Sequence, residues 1–251
     1  MPCIYKQSIV IIGGSSGIGF AVAQLSLKAG VHVAIVSSSP DRIATAVDRL
    51  TKEFPDQKIS GHTCNLKTEN VESDLEKALL EASAAHDNVL FDHIIFSAGD
   101  QLRVQSLKDI DVNLIHEAGR VRFVAPLIVA KLAPRFLGNH YSSSLILTSG
   151  FISQKPVAGW SVVGSYASGL SAMARNLAVD LKPIRVNLVI HGAVDTELWG
   201  PNRETAIAEY AKNSFMGRVA TAEEAAEAYI YLMKDTNATG SAVSTNGGGL
   251  L

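Results

Sequence analysis

The sequence predicts a single α/β domain: a doubly wound, seven-stranded parallel sheet flanked by helices. Three observations carry this reading. Short apolar runs recur along the chain, amphipathic stretches separate them, and the first run leads straight into a glycine-rich turn. Continuous apolar runs suit parallel strands covered on both faces, which leave no side for polar residues.

The expected strands are Ser8–Ile12, Val31–Val36, Lys58–Thr63, His93–Phe96, Leu145–Thr148, Arg185–Ile190 and Ala242–Ser244. The intervening helical patterns are Ile18–Ala29, Arg42–Phe54, Val71–His86, Leu107–Glu117, Val121–Leu137, Val163–Leu181 and Ala222–Met233. Thr221 followed by Glu224 makes a capping-box pattern before the last of them. No repeat, low-complexity tract or linker divides the chain, so residues 1–251 read as one domain.

The 251 residues suffice for one sizeable core, and 47% apolar with 18% charged residues is ordinary for a globular protein. A net charge of −2 without a long basic run excludes a nucleic-acid or anionic-membrane footprint. The apolar runs are strand-length, too short to span a bilayer, and no secretion leader is visible. Cys3 and Cys64 form neither a disulfide framework nor metal spacing, so a cytoplasmic setting, free thiols and no metal are expected.

The nucleotide signal starts where Ile9–Ile12 enters Gly13-Gly14-Ser15-Ser16-Gly17-Ile18-Gly19 and a helix follows. Glycines let the backbone turn tightly and approach a pyrophosphate held on the helix's free amides. Gly13, Ser15, Ser16, Gly17, Ile18 and Gly19 are the candidate cradle. After the second strand come Ser37, Ser38, Ser39 and Arg42, with no carboxylate at the strand end for a ribose 2′-hydroxyl. Three hydroxyls and a guanidinium suit a 2′-phosphate, which favours NADP(H). Ser39 also reads as a helix cap, and both roles are compatible.

Further along, Cys64-Asn65-Leu66, Phe96-Ser97-Ala98-Gly99, His191-Gly192-Ala193-Val194-Asp195-Thr196, Thr239-Gly240 and Asn246-Gly247-Gly248 follow in order. With the glycine turn, this ordered set resembles the short-chain dehydrogenase/reductase family over essentially the whole chain. The resemblance implies a Rossmann fold and adenine contact by Asn65 and Leu66. It also implies cofactor contact by Ala98, Gly99 and Gly192, and nicotinamide contact by Val194 and Thr196. Family habit implies a homodimer or homotetramer.

The family's catalytic group is Asn, Ser, Tyr and Lys. Tyr166 in Tyr166-Ala167-Ser168-Gly169-Leu170 matches the tyrosine of Tyr-x-x-x-Lys, but Leu170 stands in place of the lysine. Tyr166 is thus the candidate proton donor and a cofactor contact. Ser149, at a strand end, is the preferred serine, although the family's serine-to-tyrosine interval would select Ser153. Asn113 follows Gly99 by only fourteen residues. Alignment on Arg122-Phe123-Val124-Ala125-Pro126 puts Arg122 at the asparagine position, as a catalytic and substrate-binding candidate. His191 replaces a loop proline and reads as a packed or solvated residue, with a proton carrier as the alternative.

The stretch around Trp160 and Tyr166 is similar to divergent fungal secondary-metabolism reductases. These include proteins of prenylated indole alkaloid pathways to which iminium reduction and Diels–Alder cyclisation are attributed. Such members are thought to use a pocket carboxylate near the Trp160 region; Val157 and its neighbours offer none. The resulting expectation is NADP(H)-dependent hydride transfer to an activated C=N or C=O of a bulky, hydrophobic natural product. A non-redox cyclase or isomerase, or a nucleotide-binding protein with decayed catalysis, are the alternatives. Trp160 and Trp199 are substrate candidates, and residues 195–215 correspond to the variable substrate lid.

Overall fold

The computed structural model describes residues 3–251. Seven strands form one wholly parallel sheet in the order β3-β2-β1-β4-β5-β6-β7. They are β1 (Ser8–Ile12), β2 (His32–Ser37), β3 (Ile59–Thr63), β4 (His93–Phe96), β5 (Ser144–Gly150), β6 (Arg185–His191) and β7 (Ala242–Thr245). The expected strand runs hold to within two residues at their ends. β5 extends further than its apolar run, because Ser149 and Gly150 continue the ladder opposite Ile190 and His191.

β1 shows why these runs become central strands. Ile9 and Ile11 point into one core layer and Val10 and Ile12 into the other, all essentially inaccessible to water. The first layer is closed by α1 (Gly17–Lys28), α2 (Pro40–Glu53) and α8 (Ala222–Lys234). α3 (Val71–Ala85), α5 (Ala125–Phe136) and α6 (Ser161–Asp180) close the second. The capping box at α8 forms as expected: Thr221 Oγ1 accepts from Glu224 N at 3.2 Å, and Glu224 Oε2 accepts from Thr221 N at 2.9 Å.

Two regions differ from the sequence expectation. The pattern at Leu107–Glu117 splits into a 3-10 turn (Leu107–Asp109) and α4 (Val112–Gly119). Asp111 causes the break, since its carboxylate caps α4 by accepting from Leu114 N at 2.7 Å. From α4 the chain passes through a π-helical segment, Arg120–Val124, directly into α5. Residues 195–215 also contain more helix than foreseen: a 3-10 stretch (Glu197–Asn202) and α7 (Arg203–Asn213). No residue of α7 is fully buried, so its sequence lacked the apolar stripe that reveals a helix.

Candidate active site

A cleft of about 510 Å³ opens beyond the carboxyl ends of β1, β2, β4, β5 and β6. The sheet order reverses between β1 and β4, and connections there leave on opposite faces, creating a crevice. The glycine turn forms one end of it. Gly13 has φ +98°, and a Cβ there would lie 2.5 Å from Ala98 N. A Cβ on Gly19 would lie 2.3 Å from Gly13 O. Only bare backbone fits this junction of β1, α1 and the β4 exit. Ser16 caps α1 without a side-chain bond, so the first-turn amides stay open to an anion.

Gly13, Ser15, Ser16, Gly17, Ile18 and Gly19 all line the cleft. So do Asn65 and Leu66 beyond β3, and Ala98 and Gly99 beyond β4. Gly192, Val194 and Thr196 line it beyond β6. At the β2 exit, Ser15 Oγ donates to Ser37 Oγ at 2.7 Å and the Arg42 guanidinium donates to Ser38 Oγ at 3.4 Å. Ser39 does not line the cleft. It caps α2, accepting from Arg42 N at 3.4 Å. No carboxylate from the β2–α2 connection lines the cleft among the described residues. Bare backbone, open amides and this hydroxyl–guanidinium set fit a phosphorylated dinucleotide.

The catalytic end departs from the motif reading. Ser149 lines the cleft at the end of β5, its hydroxyl donating to Ala167 O at 2.9 Å, whereas Ser153 does not line it. Tyr166 does not line it either. Its hydroxyl donates to Ile115 O at 3.0 Å, and its ring packs on Phe123 at 5.4 Å and over the bare face of Gly119. Helix geometry explains the miss. Val163, Ala167 and Leu170 are the α6 residues that line the cleft, and Tyr166 is turned roughly 60° from Val163 toward α4. Val163 and Ala167, four apart, thus face the cleft that Ser149 also lines, and neither side chain titrates. A signal existed in the spacing: Val163 is fourteen residues beyond Ser149 and Tyr166 seventeen.

Arg122 does reach the cleft, carried there by the π-helical segment. Its guanidinium lies beside Gly99, donates to Asp100 O and pairs through Nε with Asp100 Oδ1 at 3.3 Å. Lys67 Nζ approaches the same carboxylate at 3.1 Å. Burial pushes the Arg122 pKa down from its ordinary value, and Asp100 opposes the shift. Asp100 and Lys67 both line the cleft, and the sequence reading missed them because neither sits in a motif. Cys64 lines it too, its thiol pushed up to about 11 by burial first and by Asp74 second, so it stays protonated. Asn113 sits on α4, away from the cleft.

The remaining wall is aromatic and apolar. Trp160, Phe151, Ile152, Trp199 and Tyr210 line it, with Leu102 and Val104 opposite. Trp199 Nε1 donates to Val194 O at 2.7 Å, and its ring packs on Tyr210 at 5.2 Å. A second cavity of about 670 Å³ lies across Phe151, Ala193 and Tyr210. No cluster of metal-ligating residues occurs among the described residues, and no described helix is long and apolar enough to cross a membrane.

The profile of the SDR-like Rossmann domain matches residues 3–251. The short-chain dehydrogenase/reductase ATR9 of Stachybotrys chlorohalonatus is 42% identical over the full length of both chains. The short-chain dehydrogenase/reductase malC of Malbranchea aurantiaca is 39% identical over 98% of this chain and 95% of its own. The structure described as MalC reductase/Diels-Alderase superposes with a TM-score of 0.92, covering 98% of this chain and 96% of that one. An NADPH-bound short-chain oxidoreductase of Pseudomonas aeruginosa, described as containing an atypical catalytic center, superposes at 0.88 over 97% and 98%. At 22% identity it shares the fold.

Proposed function

The chain belongs to the short-chain dehydrogenase/reductase family, and from that premise we propose that it is an NADP(H)-dependent reductase of a substrate that arrives already electrophilic. One observation supports the reading: the glycine turn and the β2 hydroxyl–guanidinium set line a cleft to which α6 turns Val163, Ala167 and Leu170, none of them titratable. On this reading Val163 and Ala167 take the places of the family's tyrosine and lysine. When bound, the cofactor supplies hydride.

The chain's own residues then bind and orient. The amides at Gly17–Gly19 would hold the pyrophosphate, Ser37, Ser38 and Arg42 would hold a 2′-phosphate, and Val194 and Thr196 would contact the nicotinamide. Arg122, fixed by Asp100 beside Gly99, supplies the positive potential and donors that a lysine on α6 would have given. Ser149 donates to Ala167 O, so its lone pairs are directed to an electrophilic substrate. Its proton is not. A ketone becoming an alkoxide needs a proton as hydride arrives, and no cleft-facing side chain on α6 holds one. A cationic iminium becomes a neutral amine and needs none.

The wall of Trp160, Trp199, Phe151 and Tyr210, with the adjoining cavity, supports a bulky hydrophobic substrate. The kinship with ATR9 and malC supports a fungal secondary metabolite. Residues 195–215, which carry Trp199 and Tyr210 into that wall, act as its cover. Exposed Val112, Val124, Leu127 and Val179 on α4–α6 support a homodimer or homotetramer.

The test pairs cyclic imines of different basicity with NADPH. Turnover should follow the iminium fraction of each substrate across pH, and a ketone of the same skeleton should react far more slowly. Absence of NADPH binding overturns the reading. A cyclase reading is favoured by the reductase/Diels-Alderase description of the malC structure. Under it, NADP+ and NADPH would support equal product formation with no cofactor consumed.

A further inference from the structure

The second cavity, about 670 Å³, is larger than the cleft of about 510 Å³ beside it. It lies between the loop after β5, the segment running from α7 to Ala220, and residues 246–251 after β7. The two spaces have four lining residues in common: Phe151, Gly192, Ala193 and Tyr210. Two of these are aromatic side chains, and two are small residues where the chain leaves β6.

The partition is lightly held. Tyr210 meets Phe151 edge-on at 6.0 Å and Trp199 at 5.2 Å. Its hydroxyl bonds to no described residue, and burial first and Glu209 second push its pKa up, so it stays a phenol. α7, which carries it, has no fully buried residue to anchor it. Ring packing, rather than a hydrogen bond, keeps Tyr210 between the two spaces.

A bulky substrate needs both spaces. Clefts of roughly 300–1,000 Å³ hold one drug-sized ligand. A phosphorylated dinucleotide is at least that large, and its candidate contacts run along the cleft from Arg42 to Thr196. It would take most of the cleft and leave room for little more than a small reacting ring.

The lining of the second cavity decides what enters it. Lys155 and Arg218 balance Glu209 and Glu224 in charge. Arg218 is clamped on Glu224 at 2.6 and 2.7 Å, and Lys155 Nζ donates to Gly249 O at 2.9 Å and Leu251 O at 3.2 Å. The side-chain amides of Asn213 and Asn246 donate to Glu209 O at 3.3 Å and Ser244 Oγ at 2.7 Å. These donors are committed to the protein. Apolar side chains of the same cavity stand uncovered: Phe215 is 71% exposed, Met216 63% and Val157 42%. An apolar guest would take them out of water.

We propose that the second cavity binds an apolar, uncharged arm of the substrate, reached from the cleft past Tyr210 and Phe151. This rests on the reading of the cleft as the site of a dinucleotide and a reducible imine. The substrate then has two parts: a small reacting ring in the cleft, and a lipophilic arm lodged outside it. The arm, not the ring, supplies most of the binding and selects the substrate.

Two imines with the same ring test it: 2-methyl-1-pyrroline and 2-hexyl-1-pyrroline, together with their amines, 2-methylpyrrolidine and 2-hexylpyrrolidine. Calorimetry in solutions containing NADPH, which cannot reduce an amine, reads amine affinity; NADPH oxidation reads imine KM. The hexyl amine should bind about 100-fold tighter, and the hexyl imine should have a KM lower by a similar factor. That is the worth of three to four buried methylenes at about 4-fold each. Phe215→Ser/Met216→Ser changes two exposed positions, so the fold should bear it, and it should cut the ratio to about 10-fold or less. Equal binding of the two amines, or a ratio that survives intact in the double variant, overturns the inference. Turnover of both imines without dependence on the arm overturns this inference alone and leaves the reductase reading standing. Arm-dependent amine binding without imine turnover overturns the reductase reading and supports the arm site. Neither turnover nor arm-dependent binding overturns both.

Discussion

Replacing Val163 by tyrosine and Ala167 by lysine should create ketone reductase activity, and replacing Leu170 by lysine should not. The two designs place the same ammonium three residues apart on α6, so they separate the geometric reading from the motif reading. Leu170 touches the cleft but is 4% exposed and, unlike Val163, packs within the core layer of α3, α5 and α6. A lysine buried there shifts by up to about 3–5 pKa units, which corresponds to about 4–5 kcal/mol at neutral pH, where loss of the proton caps the cost. Against a total stability of about 5–15 kcal/mol, that loss removes a large share of it. Even a folded Leu170→Lys variant would find Tyr166 turned away, its hydroxyl on Ile115 O.

Val163→Tyr/Ala167→Lys instead sends both groups into a cleft of about 510 Å³ beside Ser149, where the ammonium keeps access to water. Seating the ring in place of a 4%-exposed valine costs about 1–3 kcal/mol, within what the fold can bear. A correctly placed general acid contributes roughly 100-fold or more to such a reduction. The assay is NADPH oxidation with a small activated ketone, alongside thermal melts of both variants. A gain of about 100-fold in the double variant, with none in Leu170→Lys, is the expected result. Equal gains in the two, or a gain only in Leu170→Lys, would refute the placement of Val163 and Ala167 as the reaction-facing pair.

Arg42→Ala should weaken NADPH about 10-fold while leaving NADH nearly unchanged, since only the 2′-phosphate requires the guanidinium; equal loss in both, measured by fluorescence titration, would remove that assignment. Gly19→Ala should lower stability by about 1–3 kcal/mol and abolish dinucleotide binding, because its Cβ would lie 2.3 Å from Gly13 O, and this outweighs the roughly 1 kcal/mol that alanine gains in a helix. Gly164→Ala is the matched control: its Cβ would meet Ile152 Cγ1 at an ordinary 3.5 Å, so denaturation should show equal or higher stability. His93 and His191 are held by burial at about 3 and about 4, below the unfolded value near 6.5. The unfolded chain binds protons first as pH falls, so stability should drop between about pH 6.5 and 4, by up to about 1.4 kcal/mol per pH unit for each histidine. Urea midpoints at pH 7.5, 6 and 5 measure this slope, and a flat profile would contradict the burial of those rings.

The glycine turn was legible because backbone chemistry writes itself into sequence. Gly13 and Gly19 are required by contacts under 3 Å, and an apolar strand followed by a helix places them. Arg122 was found by matching the whole helix around it. A nearby Asp-Val-Asn would have misled, and Asn113 indeed lies away from the cleft. Asp100 and Lys67 were not legible, because they come from loops and meet only through the fold. α7 lacks a buried stripe, so nothing in its periodicity announced a helix.

Tyr166 shows that a motif's spacing leaves the direction of a side chain open. A tyrosine at the right distance from the helix start invites alignment, but rotation about the helix axis decides whether it can act. Three residues separate Val163 from Tyr166, enough to move the side chain from the cleft to the α4 surface. Over the same cleft, the π-helical segment adds a residue to the turn leading into α5, and such insertions alter which side chains face a site. That segment brings Arg122 beside Gly99 just where α6 presents Val163, Ala167 and Leu170. Positive charge thus reaches the site from the opposite helix, fixed by Asp100, with no proton to give at neutral pH. A permanently charged donor that cannot act as an acid suits a reaction in which binding and orientation matter and protonation does not. The Val163→Tyr/Ala167→Lys variant should therefore gain ketones without losing imines, and loss of imine turnover in it would refute this account of Arg122.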